Sequence, residues 1–539
     1  MRTFLFNIIK MKKVKLVSLA IAMACAAPSF AGGLLTNTNQ HVAFNRMMSR
    51  EASIGIDGVY YNPAGVVFMG EGKHLAINWQ LAYQTRSIEN DYPLFTNNVN
   101  NPTTPREFKG KAFAPVIPSF QYAYNKGKWS LQAGFALTGG GGKCTFDDGL
   151  GSFEKIVAET AIAACQLAGA VDQVASQYGV PAVFTSDKNF GKEGKYSYNS
   201  YMHGRQYYYG LSLGAAYKFS DNFSAFAGVR GVYASTNYYG YVEDIKVGNM
   251  PLYKVLDPTK ETAANIELSC DQSGVGFTPI IGVDFKTGKW NFAAKYEFKT
   301  RIRLKNKSVN QVPSIGNLPA NLRNAYLAGG VPEQAADAIL ANPAISGEKD
   351  ANGNIIKPGA MQMLKTQFDT KLDEAIGEYE DGKKIAGDIP AYLALGVGYS
   401  PVNTVRVNVG FHWFDDKHAT SYNNRQEKLD RGTLEYNTGV EVDVNKKITL
   451  STGWQNTNYG ISDEYMDDKS FVVSSNSVAV GGVYHINKKM DLNVAYFHTF
   501  YQYKKTSENV QLSANQSINY ASDYTRNNNV FAVGLDINF

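Results

Sequence analysis

Cysteine is scarce in this chain, with four in 539 residues, and their positions (25, 144, 165, 270) form no metal-ligand spacing. The seven histidines (41, 74, 203, 412, 418, 485, 498) form no paired ligand set either, so neither a metal nor a cofactor is expected. An excess of one charge sign is also missing once the first 31 residues are set aside. Those residues carry Arg2, Lys10, Lys12, Lys13 and Lys15 and no acid, while the other 48 of the 53 basic residues balance 48 acidic ones. The net charge of +5 thus resides in the leader and gives no reason to expect nucleic-acid binding. Beyond residue 31 no apolar run reaches the ~18 residues that a membrane-spanning helix needs.

The leader has the layout of a secretory signal. Translation starting at Met11 gives Lys12, Lys13 and Lys15 as a basic head, Leu16–Ala24 as an apolar stretch, and Ser29-Phe30-Ala31 as a small-x-small cleavage site. The exported chain then begins near Gly32. Cys25 follows Ala22-Met23-Ala24, a poor match to a lipidation site. With an exported chain, Cys144 and Cys165, which fall in one loop, are the expected disulfide, and Cys270 is left as a thiol. Aromatics make up 13% of the chain, with 34 tyrosines, a composition that suits a membrane barrel with aromatic girdles.

Strand signals begin at His74 and continue to the C-terminus. Fourteen segments read as strands: His74–Ser87, Phe113–Tyr124, Trp129–Leu137, Arg205–Phe219, Asn222–Tyr239, Val275–Lys286, Trp290–Leu304, Ile389–Tyr399, Val405–Ala419, Leu434–Val444, Ile448–Tyr459, Val472–His485, Met490–Tyr503 and Asn528–Phe539. Period-two alternation supports them. In the ninth, Val405, Val407, Val409, Phe411 and Trp413 share one face, and Arg406, Asn408, Gly410 and His412 share the other. Links after even strands are short, as in Asn125-Lys126-Gly127-Lys128, whereas links after odd strands are mostly long. Short turns at one end and long loops at the other is the pattern of an outer-membrane barrel. Loops 143–203 and 305–387 are the longest. They carry helical spacing at Phe153–Ala175, Pro319–Leu340 and Pro358–Tyr379.

The stretch Glu51–Gly70 is different in kind. It holds four glycines and Pro63, has no regular period, and is largely apolar. It reads as irregular backbone buried inside something. Asp57 and Tyr61-Asn62-Pro63-Ala64-Gly65, just ahead of the first strand, resemble the N-terminal hatch of the FadL/TodX family of long-chain fatty-acid and hydrocarbon transporters. A second Asn-Pro-Ala, at Asn342-Pro343-Ala344, shows that position rather than the tripeptide carries the likeness. The resemblance implies an all-β transmembrane antiparallel barrel of about fourteen strands, spanning 74–539. It implies a plug over residues 32–73 that fills the barrel, and long outer loops with helical insertions. It also implies integral residence in the bacterial outer membrane as a monomer, with the lipid bilayer, the assembly machinery and a hydrophobic small molecule as partners. The terminal aromatic Phe539 fits the signal read by that machinery. The implied activity is passive uptake of fatty acids, related lipids or aromatic hydrocarbons.

Particular residues follow from this reading. Asn62, Pro63, Ala64 and Gly65 are the gate. The run Gly139, Gly140, Gly141, Gly142 is the candidate kink of the third strand, through which release is sideways. Arg230 and Arg406 are inward cations suited to a ligand carboxylate, although lumen arginines commonly pair with wall or plug acids. Phe226, Phe414 and Phe497 are the candidate apolar lining. The alternatives are a diffusion porin, a lipid-modifying enzyme and an adhesin. For the enzyme, Gly210-Leu211-Ser212-Leu213-Gly214 matches G-x-S-x-G but sits inside a strand instead of a strand-turn-helix elbow. Gly142-Lys143 lacks the remaining residues of a phosphate loop. His412, His485 and His498 read as structural. The chain is therefore not expected to be an enzyme.

Overall fold

The computed structural model describes residues 36–359, 361–362, 377–513 and 516–539. The signal of residues 1–31 and most of the expected helix Pro358–Tyr379 lie outside the described residues. One large sheet closes on itself as an antiparallel barrel of fourteen wall strands. In chain order they are β1 (Gly72–Asp91), β2 (Arg106–Lys126), β3 (Trp129–Phe146), β4 (Tyr196–Lys218), β5 (Phe223–Val247), β6 (Ile266–Thr287) and β7 (Trp290–Glu297). They continue with β8 (Tyr392–Val402), β9 (Val405–Phe414), β10 (Leu434–Asn445), β11 (Ile448–Asn458), β12 (Ser475–Asn487), β13 (Met490–Tyr501) and β14 (Gln516–Asn538). Closure runs in register from His74 opposite Asn538 to Asp91 opposite Ala521. No sheet edge is left along that seam.

The alternation of each strand decides what faces where. In β1 the side chains of Asn78, Gln80 and Gln84 are buried inside, while Ile77, Trp79 and Tyr83 are exposed outside. In β9 Val409 faces out at 55% exposure, and His412 faces in fully buried. Polar residues inside and apolar ones outside invert the arrangement of a soluble protein, as a wall bathed in lipid demands. No helix among the described residues is long and apolar enough to cross a membrane. Tight turns close one end, with Gly127 (φ +59°) and Gly288 (φ +57°) adopting the left-handed backbone that two-residue hairpins require.

Long loops cap the other end and build a hydrophobic core of their own. Helix α2 (Gly151–Ser176), counted after a short helix α1 (Val42–Met47) inside the barrel, buries Phe153, Val157, Ala161, Val171 and Ala175. They pack with Tyr92, Phe95 and Phe184, and with Tyr326 of helix α3 (Leu318–Ala328) and Ile339 of helix α4 (Glu333–Ala341). The expected helix Pro319–Leu340 is thus two helices, broken at Gly329-Gly330 where Gly330 takes φ +81°.

Other differences are larger. Several strands run well past their expected outer ends, as in β4, which starts at Tyr196, and β14, which starts at Gln516. Above the lipid both faces of a strand are polar, so the apolar alternation that marks it fades. The seventh expected strand, Trp290–Leu304, is two pieces, β7 and an outer segment Arg303–Gln311 that pairs with β6. A further segment, Lys504–Ser513, pairs with the outer half of β14. The disulfide does not form, and all three described cysteines are thiols. Cys144 lies in β3, whereas Cys165 is on α2 with its Sγ 3.6 Å from the carbonyl of Phe190.

One of the buried carboxylates that tie α2 to the cap is Asp468, in addition to Glu154 and Asp172 of the helix itself. Asp468 Oδ2 accepts from the backbone N–H of Ser152 at 2.7 Å, in the first turn of α2. Burial, reinforced by neighbouring Asp467, pushes the Asp468 carboxyl well above its ordinary range. A raised carboxyl contributes stability that is present below the ordinary pKa of ~4 and is lost as pH rises through the folded value. Hydrogen-exchange protection of the first turn of α2 should therefore fall between acidic and mildly alkaline pH. In Asp468→Asn that pH dependence should shrink; a slope unchanged by the substitution would assign the effect to another group.

Candidate functional site: a plugged lumen and an interrupted wall

Residues 36–71 thread through the barrel and fill its lumen. Short polar side chains at the start pair with wall side chains instead of a strand ladder. Asn39 Nδ2 donates to Gln80 Oε1 at 3.0 Å, Gln80 Nε2 donates back to the Asn39 carbonyl at 2.8 Å, and Gln121 Nε2 donates to the Gln40 carbonyl at 2.9 Å. Helix α1 follows, capped by His41, whose Nδ1 accepts from the Ala43 N–H at 2.9 Å. Glycines in the wall make room for it. A side chain at Gly439 or Gly453 would collide with the Met47 carbonyl, so backbone packs on backbone there.

Charge fixes the plug laterally. Glu441, on β10, takes Arg46 (2.8 Å) and Arg50 (2.7 Å) from the plug and Arg406 (3.0 Å) from β9. Arg50 also holds Asp57 of the plug at 2.7 Å. Glu51 of the plug meets His412 Nε2 at 2.8 Å, whose Nδ1 lies 2.8 Å from Glu435. Each of these carboxylates is buried and ringed by donors, the arrangement in which a buried charge is tolerated.

The Asn-Pro-Ala-Gly stretch is bonded to three strands. Asn62 Oδ1 accepts from the Gly65 N–H at 3.0 Å, closing a turn, while its Nδ2 donates to Asp284 of β6 at 2.5 Å. The Pro63 carbonyl accepts from Gln132 of β3 at 2.7 Å, and the Ala64 carbonyl from Ser224 of β5 at 2.7 Å. By contrast, Asn342 caps an exposed loop turn through Ala344 N–H at 3.0 Å and reaches no wall.

The wall itself is interrupted at one place. Between β2 and β3 the ladder runs from Gly110–Phe146 to Phe113–Lys143, stops, and resumes at Phe120–Phe135. On the β2 side the unpaired stretch contains Pro115 and Pro118, which have no N–H to donate. On the β3 side the glycine run shifts register against β4 twice, with Gly140 at φ +71° and Gly141 at φ +123°. The plug covers the β3 edge. Asn37 N–H donates to the Thr138 carbonyl at 3.0 Å, and Asn37 Nδ2 reaches the carbonyls of Leu137 (3.1 Å) and Gly140 (2.7 Å). Phe44, Tyr60 and Tyr61 of the plug pack on Ala114, Ile117 and Leu137 at the break.

The candidate site residues divide accordingly. The glycines of 139–142 lie at the interruption, and the gate residues lie in the plug. Arg230 and Arg406 are engaged within the barrel. Arg230 NH2 donates to Glu297 Oε1 at 3.0 Å beside Lys295, and Arg406 holds Asp443 and Glu441. Phe497 packs with Phe44 and Tyr61 of the plug, Phe226 with Ala64 and Val67, and Phe414 stacks on Tyr392. These rings therefore support the plug and wall and face no open route. Ser212 Oγ accepts from Arg230 Nε at 3.0 Å in mid-strand, far from an elbow.

Sequence reasoning missed a second arginine pair. Arg86 and Arg526 stand directly opposite each other on β1 and β14, both buried. Both lie near the ring of Phe471 from the cap, at 6.0 and 4.6 Å. Neither strand's period distinguishes them; only closure of the barrel brings them side by side.

No protein-family model matches the chain, and no curated protein does. Among solved structures, a Pseudomonas aeruginosa FadL homologue superposes with a TM-score of 0.55 at 14% identity, over 94% of this chain and 100% of that one. The P. putida toluene transporter TodX superposes with a TM-score of 0.46 at 12% identity, over 90% of this chain and 94% of that one. The first of these shares the fold over most of the chain.

Removing the carboxylate of Glu441 leaves Arg46 and Arg50 buried without their shared partner, a loss on the order of 3–5 kcal/mol. Glu441→Ala should loosen the plug, and planar-bilayer recordings should then show ion-conducting steps absent from the wild type. A variant as silent as wild type, with the same melting temperature, would mean that the plug is held by its other contacts.

Proposed function

We propose that the protein is an integral outer-membrane channel for passive uptake of hydrophobic molecules, fatty acids or aromatic hydrocarbons, released sideways through the wall. The observation that carries the reading is the broken ladder between β2 and β3, backed by an apolar patch of the plug. A hydrophobic solute gains nothing from a water-filled exit and is favoured by direct transfer into lipid. The shared fold supports the same reading, as the structure that superposes at a TM-score of 0.55 is that of a FadL homologue.

The parts take roles in order. The loop cap, with its own apolar core, captures the solute. Arg86 and Arg526 meet an acidic head group, for which two adjacent guanidinium planes offer bidentate contacts. Residues 36–65 then shift, exposing the β3 edge. A diffusion porin fits less well, because the inward charges of Arg46, Arg50, Arg230 and Lys295 are held by carboxylates, leaving no open charged path among the described residues. No ion or nucleotide step enters the scheme.

Native mass spectrometry with lipid extraction tests this on detergent-purified protein. The wild type should retain a fatty acid or another hydrophobe, and a chain lacking Gly32–Gly70 should lose it. Arg86→Gln with Arg526→Gln should weaken retention of an added fatty acid about tenfold, and leave that of an uncharged hydrocarbon unchanged. An empty wild type with steady ion conductance would favour the porin instead.

A further inference from the structure

The loop of residues 459–474, between β11 and β12, carries a ring into the barrel that the uptake reading leaves without a task. The loop has no regular secondary structure. Its tip, with Asp463 and Glu464, is exposed, and its returning leg, Phe471-Val472-Val473, is buried. That leg hangs between two fixed points. The Ser470 carbonyl accepts from Arg425 at 3.2 Å, and the Ser474 carbonyl accepts from the Gln502 N–H at 2.8 Å. Among the described residues, no backbone hydrogen bond holds Phe471, Val472 or Val473 themselves. Between its anchors the leg is kept down by side-chain packing, so it can lift without breaking a strand ladder.

Phe471 lands on the arginine pair. Its ring centroid is 4.6 Å from the guanidinium of Arg526 and 6.0 Å from that of Arg86, and it meets the Tyr524 ring at 5.1 Å and 47°. A guanidinium beside a ring is attracted by the ring's quadrupole, a contact that an alkyl chain cannot make. The place is also in line with the route. Down the seam, Ile88 faces Tyr524, Arg86 faces Arg526, Gln84 faces Asn528 and Ala82 faces Val530. Ile88 and Tyr524 belong with Phe471 to the core of the cap, whereas Ala82 and Val530 belong to the apolar patch that includes the plug. Along this seam the arginine pair and the amide pair below it are what separates the two apolar regions. On the other side of β1, Ala82 pairs with Ala114, in the stretch where β2 has lost its ladder to β3. From Arg86 to Ala82 the strand runs roughly 13 Å.

We infer that Phe471 is an internal stand-in for the solute: the seat it fills between Arg526 and Tyr524 is where the ring of an aryl-bearing carboxylic acid binds once the leg lifts. This rests on the assignment of Arg86 and Arg526 to an acidic head group made above. The solute's carboxylate meets Arg86 while its ring replaces that of Phe471 beside Arg526, so both arginines are used at once. A straight-chain acid makes only the first contact, and an uncharged arene only the second. Phe471 competes with the solute for the seat, and the leg returns when the seat empties.

The test is equilibrium dialysis of the detergent-purified full chain, against protein-free micelles, with three probes: phenylpentanoate, nonanoate of similar length, and pentylbenzene. Heat-modifiable mobility reports that each barrel has folded. Phenylpentanoate should bind wild type about threefold more tightly than nonanoate. Phe471→Ala should tighten phenylpentanoate about tenfold and nonanoate much less. Phe471→Leu, which keeps an apolar side chain in the core, should give a smaller gain in the same direction. In the Phe471→Ala background, Arg526→Gln should abolish the gain, and Arg86→Gln should weaken phenylpentanoate while leaving pentylbenzene unchanged. A residue that merely packs behaves in the opposite way, because the cavity left by its removal loosens the cap and weakens binding. Phenylpentanoate binding that is unchanged or weaker in both Phe471 variants would overturn the inference alone. An equal gain for nonanoate would overturn the choice of an aryl acid, and equal losses of phenylpentanoate and pentylbenzene in Arg86→Gln the role of the carboxylate. Wild type and variants that bind none of the three probes would overturn the uptake reading together with this one.

Discussion

A closed wall of fourteen strands encloses a lumen wider than its own inward side chains can fill. That width is the constraint from which the rest of the structure follows. An empty lumen would conduct water and ions, and a lumen packed with apolar chain would leave the wall's inward Asn, Gln and Arg without partners. The chain answers with a plug of mixed character. Its first residues present amides to amides, its helix and the turn after it present arginines to Glu441 and Asp57, and Phe44 with Tyr60 and Tyr61 forms one apolar side. The inward glycines of the wall belong to the same solution. At Gly439 and Gly453 the plug backbone occupies the space a side chain would need.

The barrel was legible because its signals are local and repeated. Alternation in β9 and the segregation of short turns from long loops follow from one face meeting lipid and one end meeting water. The outer halves of β4 and β14 were not legible, since above the lipid the outward residues turn polar and the period loses contrast. The partners of inward charges were hidden for another reason. Arg230 and Glu297, or Arg50 and Glu441, are far apart in sequence, and only the register of a closed sheet and the path of the plug bring them together. The Asn-Pro-Ala tripeptide shows both sides. Its local turn is the same at Asn62 and Asn342, with the side-chain oxygen accepting from a nearby N–H. What differs is Asp284, Gln132 and Ser224 waiting around the first copy, which no window on the sequence reveals.

The expected disulfide failed for a related reason. Two cysteines in one long loop look adjacent, but the strand β3 extends through Cys144 and the helix α2 carries Cys165 away from it. Sharing a loop in sequence is a weak constraint once the loop contains rigid elements, because each element fixes its own side-chain directions.

The break between β2 and β3 is covered by the plug, which supplies partners that the wall lacks there. Pro115 and Pro118 remove donors from one edge, so that edge cannot seek a partner strand. On the opposite edge the carbonyls of Leu137, Thr138 and Gly140 would be left bare at membrane depth, where an unsatisfied backbone group costs several kcal/mol. Asn37 supplies donors to all three, and Gln40 Nε2 adds a second to Leu137 at 2.9 Å. On the uptake reading, then, moving the plug and opening the wall are one event. A shift that withdraws Asn37 exposes those carbonyls, and the cost of exposure draws the segment back once the solute has left. A gate of this kind needs no energy source, because the wall it seals also drives its closure.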